Sequence, residues 1–113
     1  MTSDGREYQC LVIGNHDGDT LRVSINLGVS TWIIDHPLRL YGINCPELAA
    51  AGGPEAKAFV AQWCREHAGK YTFIQHGNGR DKYGRLLGRL QAADGHSLND
   101  DLIAAGHAVA MKD

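Results

Sequence analysis

The segment that follows residue 19 alternates strictly between apolar and polar side chains, and this pattern constrains the fold more than any other feature of the sequence. The apolar positions, two residues apart, are Leu21, Val23, Ile25 and Leu27. Successive side chains of a β-strand point to opposite faces, so this spacing predicts a strand with one face in a core and one in water. Asp17-Gly18 precedes it, and both residue types tolerate positive φ, so we expect a hairpin with the apolar run 8–14.

The rest of the chain is predicted to form further short strands and two helices. Strands are predicted over 8–14, 20–27, 31–41, 71–75 and 85–92. We expect Pro37 to break the third strand and Gly88 to mark a bulge or bend in the fifth. One helix is predicted to start at Pro54 and to have Gly69 as its C-cap, and a second follows Ser97, which begins a capping-box pattern.

The resulting order, β-β-β-α-β-β-α, is that of the OB-fold, a five-stranded Greek-key barrel often used to bind oligonucleotides. The predicted class is mainly β with helices (α+β). Leu98, Leu102 and Ala105 are expected to form the apolar face of the second helix. A chain of 113 residues is long enough for one core, and no linker or repeat divides it, so a single domain over residues 1–113 is predicted.

Charge and cysteine content restrict the partners and the compartment. The net charge of −2 argues against a protein that coats nucleic acid with its whole surface, so an anionic partner would be held locally. The three cysteines are an odd number without paired spacing and are expected to be reduced. The sequence has no membrane-spanning run and no secretory signal at its start. The location stays open, with the cytoplasm expected unless a signal was trimmed.

Acidic and amide side chains lie at predicted strand ends and loops, where they could hold a cation. Asp17, Asp19 and Glu47 occur there, with Asn44 close to Glu47 in sequence. Their oxygen atoms suit a hard divalent ion such as calcium. The alternative is that Asp17-Gly18 only forms a turn and Glu47 is solvated. An EF-hand loop is excluded, because Gly28 occupies the position of its closing glutamate.

Arginine and lysine side chains could bind phosphate. Arg39 stands within a predicted strand between two leucines. Arg80, Lys82, Arg85 and Arg89 surround one predicted turn, with only Asp81 opposing them. Guanidinium groups bind phosphate through paired hydrogen bonds and stabilise added negative charge. The alternative for the cluster is a solvated basic edge that prevents strand pairing. A cation site, separate arginines and a glutamate together are the parts needed to hydrolyse a phosphodiester.

Four motifs occur in one order and at compatible spacing: "DGDT" at 17–20, "RLYGINCPE" at 39–47, "GPEA" at 53–56 and "DKYGR" at 81–85. In these motifs the sequence resembles the staphylococcal nuclease (thermonuclease) family, from about residue 8 to residue 110. The resemblance implies a five-stranded OB barrel and a calcium-dependent nuclease that acts on DNA with little sequence specificity and leaves 3'-phosphates. Whether RNA is also a substrate stays open.

Residue roles follow from the resemblance position by position. It implies that Asp19 and Asn44 bind Ca²⁺ through side-chain oxygens and Cys45 through its backbone carbonyl, with Asp17 and Thr20 supporting that shell. The resemblance also implies three catalytic residues and two nucleotide-binding ones. The general base would be Glu47, the phosphate-binding side chains Arg39 and Arg85, and the nucleotide-pocket residues Lys82 and Tyr83.

The sequence departs from the family pattern in three places. Asn44 stands where the family usually has an aspartate, which removes one negative charge and predicts a higher calcium requirement. The connection after Glu47 lacks the lysine-rich loop of the best-known member. The ending "GHAVAMKD" offers none of the aromatic residues that commonly complete the family's nucleotide pocket.

Other side chains carry weaker signals. Cys64 and His67 form a C-x-x-H pattern, but no second pair has zinc-ligand spacing, so a core Cys64 and a solvated His67 are expected. A nucleophilic Cys45 is disfavoured because no local signature supplies an activating histidine. Trp63 is expected in the core, and Trp32 could stack on bases.

Three functional hypotheses remain from the sequence. The leading one is a calcium-dependent endonuclease that cleaves single-stranded or frayed nucleic acid without a membrane partner. Its oligomeric state is unknown, with a monomer favoured. The second is a non-catalytic OB module that binds nucleic acid or protein, against which the joint presence of Asp19, Arg39, Glu47 and Arg85 argues. The third is a structural calcium-binding domain, which leaves Arg39 and Arg85 unexplained.

Overall fold

A computed structural model describes residues 6–111 of the chain. Within that range the elements are β1 (Glu7–Asn15), β2 (Thr20–Gly28), β3 (Thr31–Leu40), β4 (Ile43–Asn44), α1 (Gly53–Glu66), β5 (Tyr71–Arg80), β6 (Leu86–Ala92), α2 (Leu98–Ala104) and β7 (Val109–Ala110). The α+β class and the order of the longer elements are as the sequence predicts. No helix in these residues is both long and apolar enough to cross a membrane.

Five strands form a closed barrel in the order β1-β2-β3-β6-β5. All neighbouring pairs are antiparallel except β3 with β6, which run parallel with Arg39 in register with Leu87. Closure removes the exposed strand edges that an open sheet would have. The predicted OB-fold barrel is therefore confirmed.

The alternation in β2 places its apolar side chains in the barrel interior. Leu21, Val23 and Ile25 are buried, whereas Leu27, near the end of the strand, is 44% exposed. The two helices cover the barrel, with Val60 and Trp63 of α1 and Leu102 of α2 in the same core. Together with the buried leucines, phenylalanine and tyrosine of β3, β5 and β6, these side chains form one cluster.

Two expectations about β-strand interruptions are corrected. Pro37 does not break β3, because it stays in register with Arg22 of β2. The β3–β6 pairing covers only Leu38–Leu40, so Pro37 stands where one edge of β3 has no partner strand and the missing N–H is tolerated. The irregularity near Gly88 lies in β5, between Gln75 and Arg80, and β5 extends to Arg80, five residues beyond its predicted end at residue 75.

Position 88 requires glycine for a different reason, because there is no space for a side chain. A Cβ atom at this position would overlap the carbonyl oxygen of Ile74 and the ring of Phe73. Glycine therefore lets β5 and β6 approach closely where both cross the barrel.

The helix ends also differ in detail from the prediction. The cap of α1 is His67, whose N–H donates to the carbonyl of Trp63, and Gly69 lies two residues farther on. Ser97 does cap α2, accepting a hydrogen bond from the N–H of Asp100. Ala105 is exposed, and the buried polar Asn99 takes part in the inner face of α2 instead.

The strands β4 and β7, each of two residues, were not predicted. They pair antiparallel with Ile43 opposite Ala110 and Asn44 opposite Val109. This pairing fixes the segment that follows β3, and that segment carries several candidate site residues.

Candidate nucleic-acid cleavage site

The turn between β1 and β2 is organised by the carboxylate of Asp17. Its Oδ1 accepts hydrogen bonds from the backbone N–H groups of Asp19 at 3.1 Å and Thr20 at 2.9 Å. Asn15 ties the turn to α1 by donating from Nδ2 to the carbonyl of Lys57 at 3.0 Å. The turn thus points the side chain of the next aspartate toward the segment after β3.

The predicted hairpin is present, but the expected reason for its glycine is wrong. Gly18 does not have positive φ. A Cβ there would lie 2.7 Å from Cβ of Ala56 and 2.8 Å from Sγ of Cys45. Glycine is needed because the turn packs directly on the start of α1.

Asp19 is the buried carboxylate of this cluster, with 8% of the residue exposed. Its Oδ2 accepts the backbone N–H of Cys45 at 3.0 Å and lies 3.5 Å from Nη2 of Arg39. Burial raises the pKa of the Asp19 carboxyl above its ordinary value, and the Cys45 N–H and the Arg39 guanidinium only partly oppose this rise. Such a carboxylate gains from a further positive charge nearby.

Arg39 is held rigidly beside Asp19. Its Nη1 donates to the carbonyl of Leu40 at 2.7 Å and its Nη2 to the carbonyl of Ile43 at 2.9 Å. Only 13% of its side chain is exposed. The chain bends back at Gly42, which has φ of 81°, and this bend presents both carbonyls to one guanidinium.

Arg85 is positioned by Asp81 in the connection between β5 and β6. Oδ1 of Asp81 accepts the N–H groups of Tyr83 and Arg85, both at 2.9 Å, and Oδ2 accepts Nε of Arg85 at 2.7 Å. Partial burial acts to raise the pKa of Asp81, but these hydrogen bonds outweigh it and the pKa lies below 3.8. Because Nε carries the bond, the Nη groups of Arg85 remain for another anion.

Arg39 and Arg85 line one cleft, of about 400 Å³, at the mouth of the barrel. Asp81, Lys82 and Tyr83 line the same cleft. The Tyr83 ring is 71% exposed, with Nζ of Lys82 at 5.2 Å and Cζ of Arg85 at 5.3 Å from its centroid. The parallel pairing of β3 with β6 brings these distant parts of the sequence to one end of the barrel.

Asn44 and Glu47 are not among the residues that line this cleft, and their side chains have no fixed partners in the described part of the chain. Both are exposed, and among residues 6–111 neither side chain has a hydrogen bond or ion pair. Asn44 lines a neighbouring cavity of about 250 Å³ with Cys45 and His107. The backbone at Glu47 is anchored, because its carbonyl accepts the N–H of Ala50 at 2.8 Å.

The basic cluster predicted around residues 80–89 divides into separate groups. Arg89 bonds to Asp100 at 2.8 Å and to the hydroxyl of Ser97, so it serves the start of α2. Arg80 bonds to Nε2 of His36 at 2.7 Å and to the carbonyl of Gly84. Neither lines the cleft of Arg39 and Arg85.

Two features near the cleft were missed by sequence reasoning. Tyr41 stacks on His76 of β5, with ring centroids 3.5 Å apart. Asn99 is fully buried, and its Nδ2 donates to the Tyr41 carbonyl at 2.8 Å while its Oδ1 accepts the Leu90 N–H at 3.2 Å. The sequence feature that could have indicated the buried role of Asn99 is its position next to Leu98, on the apolar face of a short helix.

The weaker sequence signals also have outcomes. Burial raises the pKa of the Cys45 thiol to about 12, with nearby Asp19 adding to the rise, so a thiolate nucleophile is disfavoured. Trp63 is in the core and Cys64 packs against it, as expected. His67 is not simply solvated, because its Nδ1 lies 2.7 Å from a carboxylate oxygen of Asp94.

Comparison with known proteins supports a family assignment. A family model described as "Staphylococcal nuclease homologue" matches residues 37–113. A comparison with curated proteins gives no match. The matched region includes both cleft arginines and the segment from β3 to α1.

Proposed function

This chain belongs to the staphylococcal nuclease homologue family, and on that premise we propose that it is a calcium-dependent nuclease. Its substrate would be DNA, with little sequence specificity, cleaved to leave 3'-phosphates. The observation that carries the proposal is the cleft in which Arg39 and Arg85 face one space, with the buried Asp19 behind Arg39. Two guanidinium groups beside a carboxylate can bind a phosphodiester and stabilise the charge it gains during hydrolysis.

The chemistry of the donor set fits a calcium ion. Asp19 supplies a buried carboxylate that is only partly compensated, and Asn44 supplies an exposed amide oxygen one residue before Cys45, whose N–H bonds to Asp19. We propose these two side chains and the carbonyl of Cys45 as ligands, supported by Asp17 and Thr20. When bound, calcium would act as a Lewis acid on a phosphoryl oxygen.

The protein groups would divide the remaining work between binding and proton transfer. Arg39 is already oriented by two carbonyls and Arg85 by Asp81, so both would meet the phosphate with little loss of side-chain freedom. Glu47 would orient the attacking water and accept its proton at the carboxylate. Its exposure leaves that carboxylate open to water.

Nucleotide binding would use the exposed rim of the cleft. Tyr83 offers a ring face on which a base can stack, and Lys82 adds positive charge beside it. Contacts of this kind involve the sugar-phosphate backbone and the faces of the bases, and they do not distinguish the base edges. The proposed low sequence specificity and a preference for single-stranded or frayed substrate both follow.

The test is a cleavage assay on single-stranded DNA with calcium or with a chelator. Glu47→Gln removes the proposed base, and Glu55→Gln is the matched control because Glu55 is an exposed glutamate in the first turn of α1. We expect cleavage by the parent and by Glu55→Gln, and a loss of 10²–10⁴-fold, on the order expected for a general base, in Glu47→Gln. The chelator should abolish cleavage by all three proteins.

A binding measurement on the same DNA separates the rival functions. Binding without cleavage, weakening steeply with salt, would indicate a non-catalytic OB module. Neither binding nor cleavage would indicate a structural calcium-binding domain. Cleavage that survives both the chelator and Glu47→Gln would refute the proposed mechanism.

A further inference from the structure

A second cluster of metal-ligating side chains lies away from the cleft, where the end of α1 meets the start of α2. It consists of His67, His96 and Asp101, and one ligand atom from each lies within 4.8 Å of the others. His67 caps α1, His96 lies in the turn before α2, and Asp101 is in the first turn of that helix. Folding therefore brings together residues that lack any metal-binding spacing in the sequence.

A carboxylate outside the cluster orients the imidazole of His67, and the imidazole of His96 contacts Asp101 within the cluster. Nδ1 of His67 lies 2.7 Å from Oδ2 of Asp94, and Nδ1 of His96 lies 3.1 Å from Oδ2 of Asp101. An ionised carboxylate only accepts hydrogen bonds, so in the neutral ring of His67 the proton sits on Nδ1 and the lone pair on Nε2. A carboxylate in this position fixes the ring and strengthens the other nitrogen as a metal ligand.

The surroundings hold the cluster on one side and leave it open on the other. Trp63 Nε1 donates to Oδ2 of Asp101 at 2.8 Å, and the His67 ring packs 4.6 Å from the Trp63 ring. The side chain of His67 is 16% exposed, whereas that of His96 is 56% exposed. An ion can therefore reach the cluster from solvent, and one ligand is free to adjust.

We propose that His67, His96 and Asp101 form a binding site for a borderline transition-metal ion such as Zn²⁺, with Asp94 as the carboxylate that positions His67. Imidazole nitrogens with one carboxylate suit zinc, and a water would complete four ligands. Zinc bonds of about 2.1 Å place ligand atoms roughly 3.4 Å apart in a tetrahedron. From the 4.8 Å limit the ligand atoms must draw together by up to about 1.4 Å to reach this spacing, and rotation of the exposed His96 side chain would contribute to that movement.

The bound ion would join the end of α1 to the turn before α2. Metal binding to the folded state alone stabilises it by mass action. This site is separate from the calcium ligands proposed above, which are oxygen atoms at the mouth of the barrel. Its occupation can therefore be measured independently of nuclease activity.

The experiment titrates Zn²⁺ into the purified full-length chain by calorimetry, with excess Ca²⁺ present to occupy oxygen-rich sites. The main variant is His96→Ala, because this exposed side chain can be removed without disturbing the core. Asp94→Asn tests the orienting carboxylate, and His16→Ala is the matched control because His16 is an exposed histidine outside the cluster. Far-ultraviolet circular dichroism confirms that each variant is folded.

We expect one Zn²⁺ per chain and a melting temperature that rises with zinc concentration. Affinity should fall at least 100-fold in His96→Ala and about 10–100-fold in Asp94→Asn, and stay unchanged in His16→Ala. Co²⁺ in place of Zn²⁺ should give the visible absorption of a tetrahedral site, absent in His96→Ala. The proposal is overturned if the parent chain does not bind zinc, or if His96→Ala binds it as the parent does.

Discussion

Asn99 connects the core to the cleft, and its replacement by alanine should destabilise the protein measurably. The side chain is fully buried and satisfies two backbone groups, the N–H of Leu90 and the carbonyl of Tyr41. Leaving a buried polar group without a partner costs about 1–3 kcal/mol. The hydrogen bond to Leu90 is buried and the one to Tyr41 is only partly buried. The cost of losing the Leu90 bond should therefore lie near the upper end of that range, and the cost of losing the Tyr41 bond near the lower end.

The expected loss for Asn99→Ala is therefore about 3–4 kcal/mol in the free energy of unfolding. For a domain of this size, that corresponds to a fall in melting temperature of about 10–15 °C. Urea unfolding followed by the fluorescence of Trp63, which is 2% exposed, measures it directly. Asn26→Ala is the control, because Asn26 bonds only at the exposed surface and should lose less than about 1 kcal/mol.

A third variant removes the Tyr41 contact while it keeps the acceptor for Leu90. Asn99→Asp keeps an oxygen acceptor for the Leu90 N–H but removes the donor to the Tyr41 carbonyl and places a carboxylate oxygen against it. We expect it to be at least as destabilising as alanine, because a buried charge is added. A loss below about 1 kcal/mol in Asn99→Ala, or a stable Asn99→Asp, would refute the assignment of these two hydrogen bonds.

Four further predictions concern the proposed calcium ligand Asn44, the turn and the cleft. Asn44→Asp restores a negative charge to the proposed calcium set, so half-maximal cleavage should need less calcium; an unchanged calcium titration would contradict the assignment of Asn44 as a ligand. Gly18→Ala should lower the free energy of unfolding by about 1–3 kcal/mol, because the new Cβ would lie 2.7 Å from a side-chain atom of α1. The control Gly14→Ala meets no atom within 4 Å and should lose little stability. Equal losses in the two variants would count against the packing argument. Asp81→Asn should lower kcat/KM up to about 100-fold by releasing Arg85. The pKa of Asp81 in the folded protein lies below its ordinary value, so its ionised form stabilises the fold. This stabilisation is complete at pH values well above the ordinary pKa and is lost as the pH falls through the folded-state pKa. The stabilities of the parent and of Asp81→Asn, measured by acid unfolding, should therefore converge at low pH.

The barrel could be predicted from the sequence because its strands carry strong local signals. The alternation of β2 defines which side chains enter the core, and the Ser97 cap marks the start of α2. Two-residue strands such as β4 and β7 have no periodicity to detect, so their pairing could not be predicted. Gly18 shows a different limit, because its position in a turn was evident while the contact that requires glycine came from α1.

The candidate site was predictable in its residue types and less so in its grouping. The resemblance named both arginines, and the structure places them on one cleft. Sequence proximity grouped Arg89 with Arg85. In the structure Arg85 precedes β6 and is held by Asp81, whereas Arg89 lies within β6 and bonds to Asp100. His67 was expected to be solvated, but it contacts Asp94 and the nearby His96. These contacts could not be predicted, because they depend on how α1 packs against the start of α2.

The pairing of β4 with β7 has a consequence for the order in which the protein matures. Ile43 and Asn44 receive their strand partners from residues 109–110, more than sixty positions later in the chain. A ribosome releases the early segments first, so β4, the strand that holds Asn44, stays without its partner strand until residues 109–110 have emerged. Under the proposed function, a nascent chain that lacks residues 109–110 would carry both arginines while β4, which holds the proposed ligand Asn44, has no partner strand, so cleavage would begin only after residue 110 has been released.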